Sequence, residues 1–311
     1  MKNHIQVLLT FLILLTTFNA NIAVAIELNS FRDAGDERNI TSKIKTFRMT
    51  WIFDLDIDNL KQNNLLKKEG KLSKYLTLMN LYLNDIPNGI SRIHMYGNGS
   101  TKNTSIVIFG EIERLKIENY VRIRVLKKQD TVIKSAIINK NNKDILKLTV
   151  KGQNGKTKDL YIGSYNKNLH IVSFNRNEVL AWTYNLSRLK EYNKATDNNS
   201  LISLSIDIKR TLNNMRKENI TDTYIMQSKV FQYVSDINAV LKESDQSIYF
   251  GAVLTAPNKK TVEQLYSTIS NLLDTNYSEI KSGTNKILAN MQLKKQSNTV
   301  RIGTYFDKNA L

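Results

Sequence analysis

Hydrophobic and polar residues begin to alternate at Met49: Trp51, Phe53, Leu55 and Ile57 are interleaved with Ile52, Asp54, Asp56 and Asp58. A period of two predicts a strand with one buried face, and it sets the three aspartates on the solvent side. Leucines at helical spacing predict a helix over 71–83, which Asp85-Ile86-Pro87-Asn88-Gly89 ends because proline and glycine do not continue the ladder. Strands are expected over 90–96 and 105–112, with the turn-rich Gly97-Asn98-Gly99-Ser100 after the first, and a helix over 113–126. Four further strands (132–138, 145–150, 159–165, 169–174) alternate with asparagine- and glycine-bearing turns of hairpin chemistry. A helix over 177–192 closes this half, with Val179, Leu180, Trp182, Leu186 and Leu189 on its inner side. A polar joint at 195–200 marks the boundary. Strands follow at 201–206, 237–241, 247–255 and 299–306, with helices at 208–215, 259–273 and 278–291.

The two halves can be laid over one another. Leu55-Asp56-Ile57-Asp58 matches Leu204-Ser205-Ile206-Asp207, and Ser105 to Gly110 (SIVIFG) matches Ser247 to Gly251 (SIYFG). Both halves run β-α-β-β-α with a strand after it. The fold class this implies is α+β: two ferredoxin-like modules, mainly antiparallel sheets with helices packed on one face, related by internal duplication. The first module spans 47–194 and carries extra hairpins; the second spans 195–311.

The amino terminus changes the setting. Lys2 precedes an uncharged apolar run from Ile5 to Phe18, and Ala23-Val24-Ala25 is a small-x-small pattern. That run suits a secretory signal better than a spanning helix, so residues 1–25 are expected to be a signal peptide cut after Ala25, with 26–46 an extended lead-in. The expected location is the periplasm or the medium outside a bacterial envelope. Cysteine is absent, which excludes disulfides, a lipid-bearing cysteine, thiolate metal sites and cysteine nucleophiles. The net charge is +17. Either a basic surface seeks lipid phosphates or acidic glycans, or the charge follows from a composition rich in Lys, Asn and Ile throughout. Lysines spread through every segment favour composition, and export disfavours nucleic acid as a partner.

The signal, the paired Ile108-Phe109-Gly110 and Tyr249-Phe250-Gly251 strands, the segment Leu169-His170-Ile171-Val172-Ser173-Phe174 and the helix at Glu178-Val179-Leu180-Ala181 together resemble a loose group of exported bacterial proteins built from repeated ferredoxin-like modules. The resemblance lies in pattern across most of the chain, without a diagnostic motif. It implies that fold and an envelope location, and implies no activity or site residues.

Candidate chemistry is sparse. Asp54-x-Asp56-x-Asp58 begins like a calcium loop, but Asn59 and Leu65 stand where glycine and glutamate are needed. Asp54 and Asp56 also resemble the opening of a phosphatase of the haloacid dehalogenase kind, although Asp58 stands where threonine or valine is usual. Strand alternation explains the three aspartates more simply. His94 and His170 could meet and bind zinc with a carboxylate, yet lone strand histidines are more often just strand residues. There is no Gly-x-Ser-x-Gly elbow and no phosphate-binding glycine frame around Gly97-Asn98-Gly99. Arg124, Lys127 and Lys128 can share a helix face, which reads first as a solvated face. No catalytic, cofactor-binding or metal-ligating residue is therefore assigned, and no cofactor is expected. The expected function is a non-enzymatic envelope protein that binds a protein, an anionic polymer or lipid through an open sheet face or a basic surface. The alternative is a phosphatase-like or glycan-directed hydrolase using Asp54 and Asp56.

Overall fold

The structure, a computed structural model, describes residues 49–62, 86–99, 103–122, 131–140, 143–152, 155–184, 188–189, 192, 200–217, 233–243, 247–279 and 291–307. The expected signal (1–25), lead-in (26–46), helix 71–83 and joint 195–199 lie outside these residues, as does most of the helix expected at 278–291.

The strands are β1 (Trp51–Asp56), β2 (Arg92–Gly97), β3 (Ser105–Phe109), β4 (Thr131–Lys140), β5 (Lys143–Lys151), β6 (Thr157–Asn166), β7 (Leu169–Ser173), β8 (Ser200–Asp207), β9 (Asp236–Glu243), β10 (Ser247–Thr255), β11 (Gln292–Gln296) and β12 (Thr299–Asp307). The helices are α1 (Ile57–Gln62), α2 (Arg114–Tyr120), α3 (Arg176–Thr183), α4 (Ile208–Lys217) and α5 (Lys259–Glu279). The fold is mixed α and β, with few helices among the described residues and one large antiparallel sheet. Its twelve described strands run β11-β12-β10-β9-β8-β1-β2-β3-β7-β6-β5-β4.

This order differs from two ferredoxin-like modules. A split βαβ unit needs parallel neighbours, whereas all pairings between the described strands are antiparallel. Each half is instead a meander, β1-β2-β3-β7 and β8-β9-β10-β12, and β1 joins β8 at the centre. Element order alone could not separate these topologies, because it does not say which strands pair.

The halves repeat bond for bond. The first helix of each opens where Ile57 N–H donates to the Ser91 carbonyl and Ile208 N–H to that of Ser235. Ser91 then donates to Phe109, as Ser235 does to Thr255. Gly110 donates to Asn168, as Ala256 does to Asn298. Asp56 and Asp207 cap the two helices, accepting from the amides of Asn59 at 3.0 Å and Arg210 at 2.8 Å. The true correspondence is thus Asp56 with Asp207 and Phe109-Gly110 with Thr255-Ala256, displaced from the one suggested by matching letters. Strand β1 ends at Asp56, and Ile57 and Leu60 are buried on α1 instead of continuing the alternation.

Two hydrophobic layers cover the sheet. On one face, α1, α2, α4 and α5 bury Leu60, Ile117, Ile208, Val262, Leu265 and Ile269 against Phe53, Leu55, Ile108, Phe250 and Ile302. On the other face, Val179 and Trp182 of α3 and the later Tyr192 pack on Ile52, Tyr96, Val107 and Ile171. That second layer belongs to the first half.

Candidate functional site

One cluster of buried polar and aromatic side chains gathers under α3. Asp54 on β1 sits directly opposite His94 on β2. Position 54 shares its face with Ile52, so it points under α3 and is 3% exposed; it does not reach solvent as the alternation alone suggested. A buried carboxylate needs donors. His94 Nδ1 lies 2.8 Å from Asp54 Oδ1, and the Tyr192 hydroxyl donates to the same oxygen at 3.2 Å. Because an ionised carboxylate only accepts, Nδ1 carries the proton in that bond. The His94 ring lies against three aromatic rings, at centroid distances of 5.2 Å to Tyr96, 4.7 Å to Tyr192 and 6.4 Å to Trp182.

A second chain of bonds runs beside it. Trp182 Nε1 donates to the Tyr96 hydroxyl at 2.8 Å, and that hydroxyl donates to Glu178 Oε2 at 2.8 Å. Arg188 reaches Glu178 Oε1 at 3.0 Å, completing the carboxylate's partners. Burial, reinforced by the neighbouring Glu178 carboxylate, pushes the Tyr96 phenol far above its ordinary range. Burial and Asp54 do the same to Tyr192. Both tyrosines therefore stay protonated and remain donors. The helix comes close enough because of Gly163 on β6, where a Cβ would stand 2.5 Å from a Val179 methyl carbon and 2.8 Å from that of Thr183.

With Asp54 and His94 side chains at 4% and 1% exposure, no substrate atom reaches this pair in the observed conformation. What the arrangement does is fasten α3 and the Tyr192 segment to the centre of the sheet through charge-assisted bonds in a dry site. The other aspartates are elsewhere. Asp56 caps α1 and pairs with Arg92 at 3.6 Å, while Asp58 is exposed in the first turn of α1. The run that resembled a phosphatase opening is split among a buried staple, a cap and a surface residue.

The two histidines do not converge. His94 lies in register with Val107, and His170 with Ile108, so they project from opposite faces. His170 locks the β6–β7 hairpin: Nδ1 lies 2.8 Å from the Ser164 hydroxyl and Nε2 3.1 Å from the Lys167 carbonyl. Burial lowers its pKa below the ordinary imidazole value. Among the described residues, no group of three or more histidine or acidic side chains could hold a metal ion, and no helix is long and apolar enough to cross a membrane. Arg114 donates to the Asp144 carbonyl at 3.4 Å and Arg122 pairs with Glu118 at 2.7 Å, while 124, 127 and 128 lie outside the described residues.

The Asp54–His94 pair has a counterpart that the letters do not advertise. Ser205 and Asn238 occupy the equivalent register positions on β8 and β9, with Ser205 Oγ donating to Asn238 Oδ1 at 2.6 Å. Glu178 was the buried residue least visible in the sequence. Its only signal was its place one residue before Val179, in a helix otherwise read as having a polar outer side.

No protein-family model matches the chain, and no curated protein matches it. Among solved structures it is similar to TP0453 in two crystal forms. Form III is 9% identical, with 84% of this chain and 92% of that chain covered at a TM-score of 0.43. Form I is 10% identical, with 84% and 90% covered at the same TM-score of 0.43. A likeness at this level speaks to neither partner nor chemistry.

Proposed function

We propose that this is an exported, non-enzymatic envelope protein, delivered by a signal peptide cut after Ala25, that binds an anionic partner across the second half of the sheet. The observation that carries the reading is an asymmetry of cover. In the second half α4 and α5 pack on one face only, against Phe250, Leu254 and Ile302. No described helix lies on the opposite face. There Asn238, Val240 and Lys242 of β9, Tyr249 of β10, and Arg301 and Tyr305 of β12 are half-buried and share one side by register. The Tyr249 and Tyr305 rings meet at 4.8 Å, and the Tyr249 ring lies over Gly251. Two cations beside a tilted aromatic pair suit an acidic glycan or a lipid headgroup, and the net charge of +17 supports attraction at long range.

The test is binding to vesicles with and without anionic lipid and to a sulfated polysaccharide, at two salt concentrations. Salt-sensitive binding is expected for the anionic probes, with at least ten-fold weakening in a Lys242→Glu/Arg301→Glu variant. Equal binding to neutral vesicles would sink the reading. Turnover on a phosphoester panel that disappears in Asp54→Asn would replace it with the hydrolase. Edman sequencing of the natively exported protein should begin at Ile26.

A further inference from the structure

The two lysines of β11 divide between the faces of the sheet. Lys295 lies on the side of α5, where its ammonium pairs with Glu263 and sits over the Tyr266 ring. Lys294, one residue earlier, therefore belongs to the other side, and register sets it directly opposite Arg301 of β12. The same cross-strand row continues through Val253, Asn238 and Ser205, so it holds two cations and no carboxylate. By register, the nearest described carboxylate on this side is Asp236, one row back and two strands across, about 12 Å away. Like charges directly opposite disfavour a strand pair, because their Cβ atoms are only about 5 Å apart. A lysine that merely guards a sheet edge needs no arginine facing it.

The rows beside the cations have a different character. Gly303 and Gly251 face each other one row along, about 7 Å away, and Tyr305 and Tyr249 face each other in the row after. The Tyr249 ring leans back over Gly251, where a Cβ would stand 2.4 Å from its hydroxyl oxygen. Gly303 has the exposed Gln292 opposite it on β11. A stretch of backbone without side chains is thus bounded by two cations, an aromatic ring and an edge amide.

We infer that Lys294 and Arg301 hold one phosphomonoester, and that the sugar bearing it lies over Gly303 against the Tyr305 ring, with its hydroxyls at the Gln292 amide. The inference rests on the anionic-partner reading and narrows it to one ligand class. Two cations this close match a group carrying nearly two charges. A phosphomonoester has about −1.5 to −2 at pH 7 and three acceptor oxygens, whereas a carboxylate or a sulfate ester has a single charge. Arginine supplies a planar fork for two phosphate oxygens, and lysine a point charge beside it. The C–H face of a sugar packs on the apolar body of a tyrosine while its hydroxyls stay with polar groups.

Titration calorimetry of the purified chain with glucose 6-phosphate, glucose 6-sulfate, inorganic phosphate and glucose is the test. Glucose 6-phosphate is expected to bind at least ten-fold tighter than each of the others. Its affinity should fall between pH 7.5 and 5.5, as the phosphate takes up its second proton near pH 6. Lys294→Gln, at an exposed position, should weaken binding at least ten-fold with an unchanged thermal midpoint, and Lys295→Gln on the opposite face should not. Three results would each overturn the inference: glucose 6-phosphate no tighter than the sulfate ester or inorganic phosphate, equal effects of the two lysine variants, or no binding through about 10 mM. If anionic vesicles still bound in a salt-sensitive way, only this narrower assignment would fall; loss of both would remove the anionic-partner reading as well.

Discussion

The two halves of the sheet share a frame and differ in what lies on it. Both carry the same capped first helix, the same chain of main-chain bonds and a buried polar pair at one equivalent register position. In the first half that pair is an aspartate and a histidine, covered by α3 and packed against the rings of Tyr96, Trp182 and Tyr192. In the second it is a serine and an asparagine, with no described helix above. Charge follows cover: a carboxylate is retained in the dry half because Tyr192 and His94 both donate to it. The second half keeps neutral groups at that register position, and half-buried Lys242 and Arg301 share its face. One frame thus carries a charged, helix-covered pair in one half and a neutral pair in the other.

Removing the roof should break the comparison most. Trp182→Ala empties a fully buried indole and removes the donor to the Tyr96 hydroxyl. A loss of about 3–5 kcal/mol is expected in urea unfolding; a change under 1 kcal/mol would show that α3 does not hold the first half together. Next comes the bend after β3. Gly110 has φ of +130°, and a Cβ there would stand 1.9 Å from the Gly89 carbonyl oxygen, whereas its counterpart in the second half is already alanine, Ala256. Gly110→Ala should cost about 3 kcal/mol, and Ala256→Gly about 1 kcal/mol. Equal costs would mean that the two bends are not equivalent.

The polar pairs sharpen the contrast further. Asp54→Asn leaves His94 and Tyr192 without their carboxylate and should cost about 2–4 kcal/mol, against about 1 kcal/mol for Ser205→Ala. Chemical denaturation of both variants decides it. The smallest effect concerns His170, whose counterpart is Val300. Its imidazole is held below the ordinary value by burial, so the unfolded chain binds its proton first. That contribution to stability is whole above about pH 6.5 and falls away as the pH drops below it. His170→Val should flatten part of the acid-side decline in urea midpoint between pH 7.5 and 5.5; an unaltered slope would assign that decline to other groups.

Strands were the most legible feature of the sequence. Nearly every predicted strand from 90–96 onward overlaps an observed one, because a half-buried pleat writes its period of two directly into the residue order. The strand Gln292–Gln296 was not visible, since Gln-Leu-Lys-Lys-Gln on a solvent-facing edge has too little apolar content to show a period. The inner positions Val179 and Trp182 were also legible from helical spacing, and both are buried. The site itself was not. Asp54 reads as a solvent residue so long as the strand is taken to have one buried face, and only the arrival of α3 on the other face turns it inward.

What the residue order determined alone is local: the strands, the helix starts, the turns, the charge and the lack of thiols, each set by neighbours within a few positions. Which strands lie side by side depends on contacts between residues tens to more than a hundred positions apart, and alternation is blind to those. The tertiary structure decided the meander over the ferredoxin-like order and the pairing of the two halves at β1 and β8. It also decided that one carboxylate of three is buried beside a histidine forty residues away.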